Sequence, residues 1–226
     1  MTNTSSSPLS GPTRAPASGG TPRQLVVFLH GYGADGADLI GLAPFFAQAL
    51  PNAEFVAPNA PERCNMGFGY QWFGITNMDP GRLAAGVRNA APLLDAFLDD
   101  ALRSRGLTYD QLALIGFSQG TMMALHVGLR RTKQLAGIVG FSGMLAGPEA
   151  LGAEIKSRPP LVLLHGDSDE MLPHQLTERA AEVLRQNGVA VRTHIAQGVG
   201  HGIDETGLAR AAHFLLDVFK LPVPQT

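Results

Sequence analysis

Short apolar runs alternate with amphipathic segments along most of this chain. The apolar runs predict buried strands over residues 25–29, 54–57, 112–117, 135–141, 161–165 and 189–195. Apolar positions at helical spacing predict helices over residues 82–105, 122–129, 177–186 and 207–219. Continuous apolar strands separated by helices are typical of a parallel sheet that is covered on both faces. The pattern therefore predicts an α/β fold.

The long helix predicted over residues 82–105 contains Pro92. Proline has no backbone N–H to donate, and inside a helix its ring clashes with a carbonyl group of the preceding turn. We therefore expect the helix to bend or to break at this position.

The first 20 residues differ from the rest of the chain, because they are rich in Ser, Thr, Pro and Gly and contain no apolar segment. Such a composition buries too little surface to offset the entropy lost on ordering. The sequence therefore predicts a flexible tail over residues 1–20 and a single domain over residues 21–226. Removing the tail is expected to leave kcat/KM within about twofold. A tail that docks on the core is the alternative.

Composition and charge narrow the class of protein. The 226 residues are 45% hydrophobic, which is enough for one sizeable core, and the net charge is −2. Lys and Arg are not clustered, so no nucleic-acid partner is expected. The apolar runs are only as long as strands, so no stable membrane insertion is expected. Cys64 is the lone cysteine, and no secretory signal is visible, so we expect a cytoplasmic protein.

Residues 116–120, with the sequence Gly-Phe-Ser-Gln-Gly, carry the strongest chemical signal. They lie between a predicted strand and a predicted helix, which is the context of a G-x-S-x-G nucleophile elbow. Gly116 and Gly120 leave room for a tight turn that points Ser118 outward. The N-terminus of the following helix favours developing negative charge. The sequence therefore predicts Ser118 as a nucleophile, and a capping serine in a Gly-rich turn is the alternative.

A serine hydroxyl group needs a base, and the base needs an orienting carboxylate. On a sheet of this kind the expected chain order is Ser, then Asp or Glu, then His. Of seven histidines, His201 fits best, because it lies between glycines on the loop after the last predicted strand. Asp167 and Asp169 follow an earlier strand, just after His165. We favour Asp169 as the acid and interpret Asp167 as a turn residue that bonds local amides.

A donor loop for an oxyanion completes this site. Residues 29–33, with the sequence Leu-His-Gly-Tyr-Gly, follow the first buried strand. The backbone N–H of Tyr32 would pair with that of Gln119, the residue after the predicted nucleophile. Two such preorganised donors stabilise the transition state of acyl transfer strongly.

Two fragments also match other kinds of site. Residues 31–36 contain the glycine spacing of a dinucleotide-binding turn, but Glu54 opens the second strand instead of closing it, at the wrong edge of the sheet. Residues 165–174 collect two histidines and two aspartates, but their spacing fits no strong metal-ligand pattern. We therefore expect neither a cofactor nor a metal.

Taken together, these motifs make the chain similar to the phospholipase/carboxylesterase family of α/β-hydrolases, which includes the acyl-protein thioesterases. The matching motifs lie at residues 28–36, 71–73, 116–120, 165–169 and 200–202. The resemblance implies an α/β-hydrolase fold, with a central, mostly parallel sheet and helices on both faces. It also implies that residues 21–226 form one catalytic domain.

The resemblance assigns roles to particular residues. Ser118, Asp169 and His201 match the family's catalytic triad, and Tyr32 and Gln119 match its oxyanion donors. The implied activity is that of a serine carboxylesterase on esters of small to medium acyl chains, through an acyl-enzyme intermediate. A lysophospholipase and an acyl-protein thioesterase are the alternatives. A non-catalytic binding module is the alternative of another class, although all three triad residues are present. The expected partner is a small-molecule ester, and a homodimer is left open.

An aromatic and Met-rich stretch lies between the second strand and the long helix. It contains Met66, Phe68, Trp72 and Phe73. One interpretation is that these side chains, together with Leu172 near the predicted acid, form the wall of the acyl pocket. The alternative is that they are loop residues that fill the core.

Overall fold

The computed structural model describes residues 9–222. Its strands are β1 (Thr13–Arg14), β2 (Gln24–Leu29), β3 (Ala53–Val56), β4 (Glu62–Arg63), β5 (Tyr70–Gln71), β6 (Leu112–Phe117), β7 (Gly137–Phe141), β8 (Leu161–Gly166) and β9 (Val191–Ala196). Seven of them form one sheet in the order β1-β3-β2-β6-β7-β8-β9, and β4 pairs with β5 separately. Every neighbouring pair in the large sheet is parallel except β1 with β3. The prediction of a mostly parallel sheet is confirmed.

Helices cover both faces of this sheet. They are α1 (Gly36–Ile40), α2 (Ala43–Ala49), α3 (Pro80–Arg105), α4 (Gln119–Arg130), α5 (Leu151–Glu154), α6 (Gln175–Gln186) and α7 (Glu205–Val218). Buried residues of α3, α4 and α6 form the core on one face, and those of α2 and α7 form the core on the other. The predicted helices are all present with slightly different ends, whereas the shorter α1, α2 and α5 are additions.

Strand β2 contributes side chains to the cores on both faces of the sheet. Leu25, Val27 and Leu29 pack on the α3 side, and Val26 and Phe28 pack on the α7 side. Successive side chains of a strand point to opposite faces, so a strand between two helical layers must be apolar at every position. This requirement explains why the central strands appear in the sequence as continuous apolar runs.

Helix α3 continues through Pro92, so the helix does not break there, and the bend stays a prediction. The helix is well defined at both ends: Asp79 accepts a hydrogen bond from the N–H of Arg82 at 2.8 Å, and Gly106 ends it with a φ of 65°. Pro92 lies on the exposed face, where water can bond the carbonyl group that loses its helical partner. The cost of the proline is thereby reduced.

The N-terminal segment also differs from its prediction. Residues 1–8 lie outside the described residues, but residues 9–18 are bound to the domain, mainly through their main chain. Leu9 is buried in the core, β1 pairs with the outer edge of β3, and the N–H of Asn59 donates to the carbonyl of Ser10 at 2.9 Å. For this part of the segment, the prediction of a flexible tail is wrong. Backbone pairing at a sheet edge places few demands on side chains, so composition does not reveal it.

Deleting residues 1–20 is expected to lower Tm by about 4–8 °C relative to deleting residues 1–8 alone, a cost of roughly 2 kcal/mol. The longer deletion exposes the apolar surface that Leu9 covers and leaves the edge of β3 unpaired. Differential scanning fluorimetry of the two truncated proteins measures the difference. Equal Tm values would show that residues 9–20 add nothing to stability.

Within residues 9–222, no helix combines the length and the apolar character needed to cross a bilayer.

Candidate active site

Loops after β2, β6, β8 and β9 meet at the carboxyl edge of the large sheet. They carry, in that order, Tyr32, Ser118, Asp169 and His201. The carboxyl ends of parallel strands lie at one edge of the sheet, and this edge is where ligands bind in open α/β folds. The fold thus brings together residues that are far apart in sequence.

Ser118 occupies a strained turn between β6 and α4. Its φ is +53°, which a residue with a side chain rarely adopts, and its N–H donates to the carbonyl of Phe141 at 2.9 Å. A Cβ atom at Gly120 would lie 1.8 Å from the carbonyl oxygen of Leu29, and one at Gly116 would lie 2.5 Å from that of Gly120. Both glycines are therefore required for the sharp turn of a nucleophile elbow.

Asp169 and His201 form a close pair beside this turn. Oδ2 of Asp169 lies 2.7 Å from Nδ1 of His201. The carboxylate side chain is fully buried, and the imidazole is largely buried. Because a carboxylate can only accept, Nδ1 carries the hydrogen, and Nε2 of the neutral ring is left with a lone pair. This is the tautomer that a general base needs.

Four hydrogen bonds hold the buried carboxylate of Asp169. The main-chain N–H groups of Met171 and Leu172 donate to Oδ1 at 2.9 and 2.8 Å. The imidazoles of His201 and His165 contact Oδ2 at 2.7 and 3.0 Å. Burial by itself would raise the pKa of Asp169, but the bonds from Leu172, His201 and Met171 outweigh it, so the pKa lies below its ordinary value. The carboxyl group is therefore ionised at neutral pH.

Asp167 occupies a different position, on the exposed side of the same loop. Its Oδ1 accepts from the hydroxyl of Ser168 at 2.9 Å and from the N–H of Gly198 at 2.7 Å. These two bonds lower the pKa of Asp167. The structure thus places Asp169, and not Asp167, against His201. Asp167 instead joins the loop after β8 to the loop after β9.

The loop of His201 lies next to the serine turn. The ring of Phe117, which precedes Ser118, is 4.9 Å from the imidazole of His201 between centroids. Among residues 9–222, no hydrogen bond joins the Ser118 hydroxyl to His201. Contacts between a nucleophile and its base are often long without substrate and shorten in the substrate complex.

Two main-chain donors near Ser118 have no acceptor among the described residues. They are the N–H groups of Tyr32, after β2, and of Gln119, the first residue of α4. The first N–H groups of a helix have no partner within the helix, so the Gln119 donor is available to a ligand. This is the arrangement expected of an oxyanion hole.

The side chain of Gln119 fixes the segment that follows β5. Its Oε1 accepts from the N–H of Trp72 at 2.9 Å, and its Nε2 donates to the carbonyl of Phe73 at 2.7 Å. The indole of Trp72 in turn donates to the carbonyl of His30 at 3.0 Å. One buried amide therefore links the serine turn, the aromatic segment and the donor loop.

The predicted pocket residues fall into three groups. Trp72 and Phe73 belong to the buried core and also line a cavity of about 420 Å³ between the aromatic segment and α3. Met66 and Phe68 are 59% and 62% exposed. Leu172 is buried beside the acid and does not line that cavity. Trp72 and Phe73 therefore fill the core, and their role in an acyl pocket stays a prediction, because the cavity is lined by none of Tyr32, Ser118 or His201.

Three further polar residues at this site have no clear signal in the sequence. They are the buried His165 and Thr177, which contact each other at 2.8 Å, and Ser142, whose hydroxyl donates to the carbonyl of Gly202 at 3.2 Å. Only the place of His165, shortly before Asp169 in the chain, could have drawn attention to it. The partners of Ser142 and Thr177 come from other loops, which a linear pattern does not show.

In the part of the chain that the structure describes, no three His, Cys, Asp or Glu side chains converge as ligands for a metal.

A serine on a strained strand–helix turn, beside a buried Asp–His pair in an α/β fold, defines a class of protein. The class is that of the serine hydrolases with the α/β-hydrolase fold.

Comparisons with known proteins identify the family. A family model described as Phospholipase/Carboxylesterase matches residues 15–218, and the chain belongs to that family. Esterase YpfH of Escherichia coli (strain K12) is 26% identical over 203 residues, which cover 90% of this chain and 84% of that protein. Acyl-protein thioesterase 1 of Schizosaccharomyces pombe is 30% identical over 173 residues, covering 72% and 75%.

A solved structure is more similar still. The crystal structure of esterase PE8 superimposes with a TM-score of 0.90 at 46% sequence identity, covering 93% of this chain and 99% of that chain. With the family, these similarities confirm the sequence-based prediction that the chain is a serine hydrolase acting as an esterase.

Proposed function

We propose that this esterase hydrolyses carboxylic esters of small to medium acyl chains through an acyl-enzyme intermediate. Ser118 is the nucleophile, His201 the general base, and Asp169 the carboxylate that orients it. The observation that carries the proposal is the 2.7 Å contact between Oδ2 of Asp169 and Nδ1 of His201, next to the strained turn of Ser118. The reaction needs no cofactor and no metal.

In the first step, Nε2 of His201 takes the hydroxyl proton as Ser118 attacks the ester carbonyl carbon. The negative charge that develops on the carbonyl oxygen is stabilised by the N–H groups of Tyr32 and Gln119. The buried carboxylate of Asp169 stabilises the imidazolium without taking its proton. The imidazolium then protonates the alcohol, which leaves, and the acyl group stays on Ser118.

In the second step, water replaces the alcohol. Nε2 of His201 takes a proton from the water as its oxygen attacks the acyl carbon. The same two N–H groups hold the second oxyanion. Its collapse breaks the bond to Ser118, which recovers its proton from His201. The acid product is released, and the enzyme returns to its starting state.

The preference for small to medium acyl chains follows from the resemblance to this family of carboxylesterases. The cavity of about 420 Å³ beside Trp72 is lined by side chains of residues 61–93 and by none of the residues proposed to act on the ester.

A series of para-nitrophenyl esters tests this function, from acetyl through octanoyl to palmitoyl, beside a lysophospholipid and a palmitoyl thioester. We expect the highest kcat/KM between butanoyl and octanoyl, with S118A measuring the background. A maximum on the thioester would instead favour an acyl-protein thioesterase, the activity named for the fission-yeast relative. A maximum on the lysophospholipid would favour the remaining alternative. Absence of turnover on every substrate would favour a binding module.

We further propose a cytoplasmic location and no nucleic-acid partner. The single cysteine, Cys64, is buried and free, which suits a reducing compartment. The homodimer remains a hypothesis, and sedimentation velocity over a range of protein concentrations tests it.

A further inference from the structure

The carboxylate of Asp169 has a second imidazole partner besides His201. Nε2 of His165 lies 3.0 Å from Oδ2, the same oxygen that accepts from Nδ1 of His201 at 2.7 Å. His165 lies in β8, and its side chain is fully buried. One carboxylate oxygen is therefore shared by two histidines.

The surroundings of His165 determine where its hydrogen lies. Nε2 faces two acceptors, Oδ2 of Asp169 and the carbonyl of Leu172 at 2.9 Å, so this nitrogen carries a hydrogen. Burial lowers the pKa of His165, although Leu172 and Asp169 oppose the effect, so the ring is neutral at neutral pH. The neutral ring then accepts at Nδ1 from the hydroxyl of Thr177, at 2.8 Å.

The direction of the hydrogen bond between Thr177 and His165 depends on the protonation state of His165. Its oxygen also lies 3.1 Å from the carbonyl of Gly143, and its single hydrogen cannot serve both contacts. With a neutral His165, that hydrogen is donated to Nδ1. A cationic His165 would instead donate from Nδ1 to the hydroxyl, which would turn to Gly143.

We propose that His165 is a positioning residue, whose neutral Nε2–H holds Oδ2 of Asp169 and limits the negative charge that this oxygen presents to His201. The inference rests on the proposed roles of Asp169 and His201. His165 touches neither substrate nor reacting atoms, and it acts through the carboxylate.

The effect of His165 on charge has a definite sign. An oxygen that accepts from two N–H donors offers less charge to each of them than to a single donor. Without His165, the undiminished carboxylate binds the imidazolium form of His201 more strongly. A general base must be neutral, so activity is then lost at a higher pH on acidification. Oδ1 stays held by two main-chain N–H groups, so the carboxylate keeps its place.

Few charged groups face His165. The titratable groups acting on it are Asp169, from the loop after β8, and His201, from the loop after β9. Helix α6 contributes the uncharged hydroxyl of Thr177, and the loop after β7 contributes, through Thr177, the carbonyl of Gly143.

The test is the pH profile of kcat/KM on para-nitrophenyl butanoate. In H165L, which lacks the donor, we expect the acid-side midpoint to rise by about half to one pH unit. H165Q carries an N–H donor near the position of Nε2 and should return the midpoint toward wild type. A residue that only fills space would lower the plateau without moving the midpoint. An unmoved or lowered midpoint in folded H165L overturns the proposal.

Two further measurements keep the test decisive if H165L does not fold. T177V keeps the shape of Thr177 but removes the donor to Nδ1, and a smaller rise of the midpoint is expected. No rise overturns the proposal. Nitrogen-15 NMR of histidine-labelled wild type should show His165 neutral at pH 7 with hydrogen on Nε2. A cationic ring or an Nδ1–H tautomer overturns it.

D169N separates this proposal from the proposed function. If D169N retains wild-type activity, the triad itself is wrong. If D169N is strongly impaired while folded H165L has the wild-type profile, only the role of His165 fails. If both roles hold, adding H165L to D169N should lower kcat no further, because His165 acts through the carboxylate.

Discussion

Ser118→Ala is expected to lower kcat by about 10⁴–10⁶-fold, the loss seen when a triad nucleophile is removed. Acylation cannot begin without the hydroxyl group, and only transition-state binding by the remaining site is left. The fold should be unaffected. The Ser118 hydroxyl has no hydrogen bond within the described residues, and alanine tolerates the positive φ no worse than serine does. Steady-state kinetics with circular dichroism measures both effects.

Ser142→Ala is the matched control for this experiment. Ser142 also has a positive φ, of 44°, but it is buried after β7 and its hydroxyl bonds the main chain of Gly202. Its loss should lower kcat less than about tenfold, the order of one hydrogen bond. A fluorophosphonate probe should label wild type and S142A once per chain and should not label S118A. More than a few per cent of residual activity in S118A would contradict the assignment.

The sequence predicts the central architecture well because burial on both faces of the sheet imposes an unusual pattern. Strands β2, β6, β7 and β8 are almost entirely apolar, and short, continuous apolar runs between amphipathic helices are typical of parallel strands that are buried on both faces. The serine turn is equally visible, because two glycines at fixed spacing meet contacts that no side chain could fit. Structural features that follow from steric exclusion can therefore be predicted from one sequence.

Features held together by main-chain bonds are much less visible. Strand β1 consists of only two residues, both of them exposed. It forms because it pairs with the backbone edge of β3. The two-residue strands β4 and β5 are equally inconspicuous. Pro92 predicts a break that the packed neighbours of α3 override, since a proline on the solvent face leaves its orphaned carbonyl group to water. Contacts with other parts of the fold therefore determine whether these short strands form and whether α3 continues through Pro92.

The residues of the candidate site differ in the same way in how well the sequence predicts them. Ser118, Asp169 and His201 each follow a recognisable strand, so their convergence follows from the parallel topology. The role of His165 depends on Thr177, which lies on a helix on the other side of the acid loop. Such a network of buried polar groups is built from several elements, and the spacing within any one of them does not indicate it.

Asp169→Asn is expected to lower kcat by about 10³–10⁴-fold, whereas Asp167→Asn should cost less than about tenfold. Both aspartates follow β8, and sequence spacing alone does not separate them. In the structure, an amide at position 169 could turn its NH₂ group toward Nδ1 of His201. It would then stabilise the tautomer with hydrogen on Nε2, which cannot accept the proton of Ser118.

Asparagine at position 167 keeps the function of that residue. Oδ1 of Asp167 accepts from Ser168 and from the N–H of Gly198, and an amide oxygen can accept both bonds. The two substitutions thus make the same chemical change two residues apart, and each serves as the control for the other. Kinetics on para-nitrophenyl butanoate, with circular dichroism to verify folding, gives the ordering. If folded D167N is the more damaged enzyme, the loop after β8 presents the other carboxylate to His201 during the reaction, and the proposed acid is wrong.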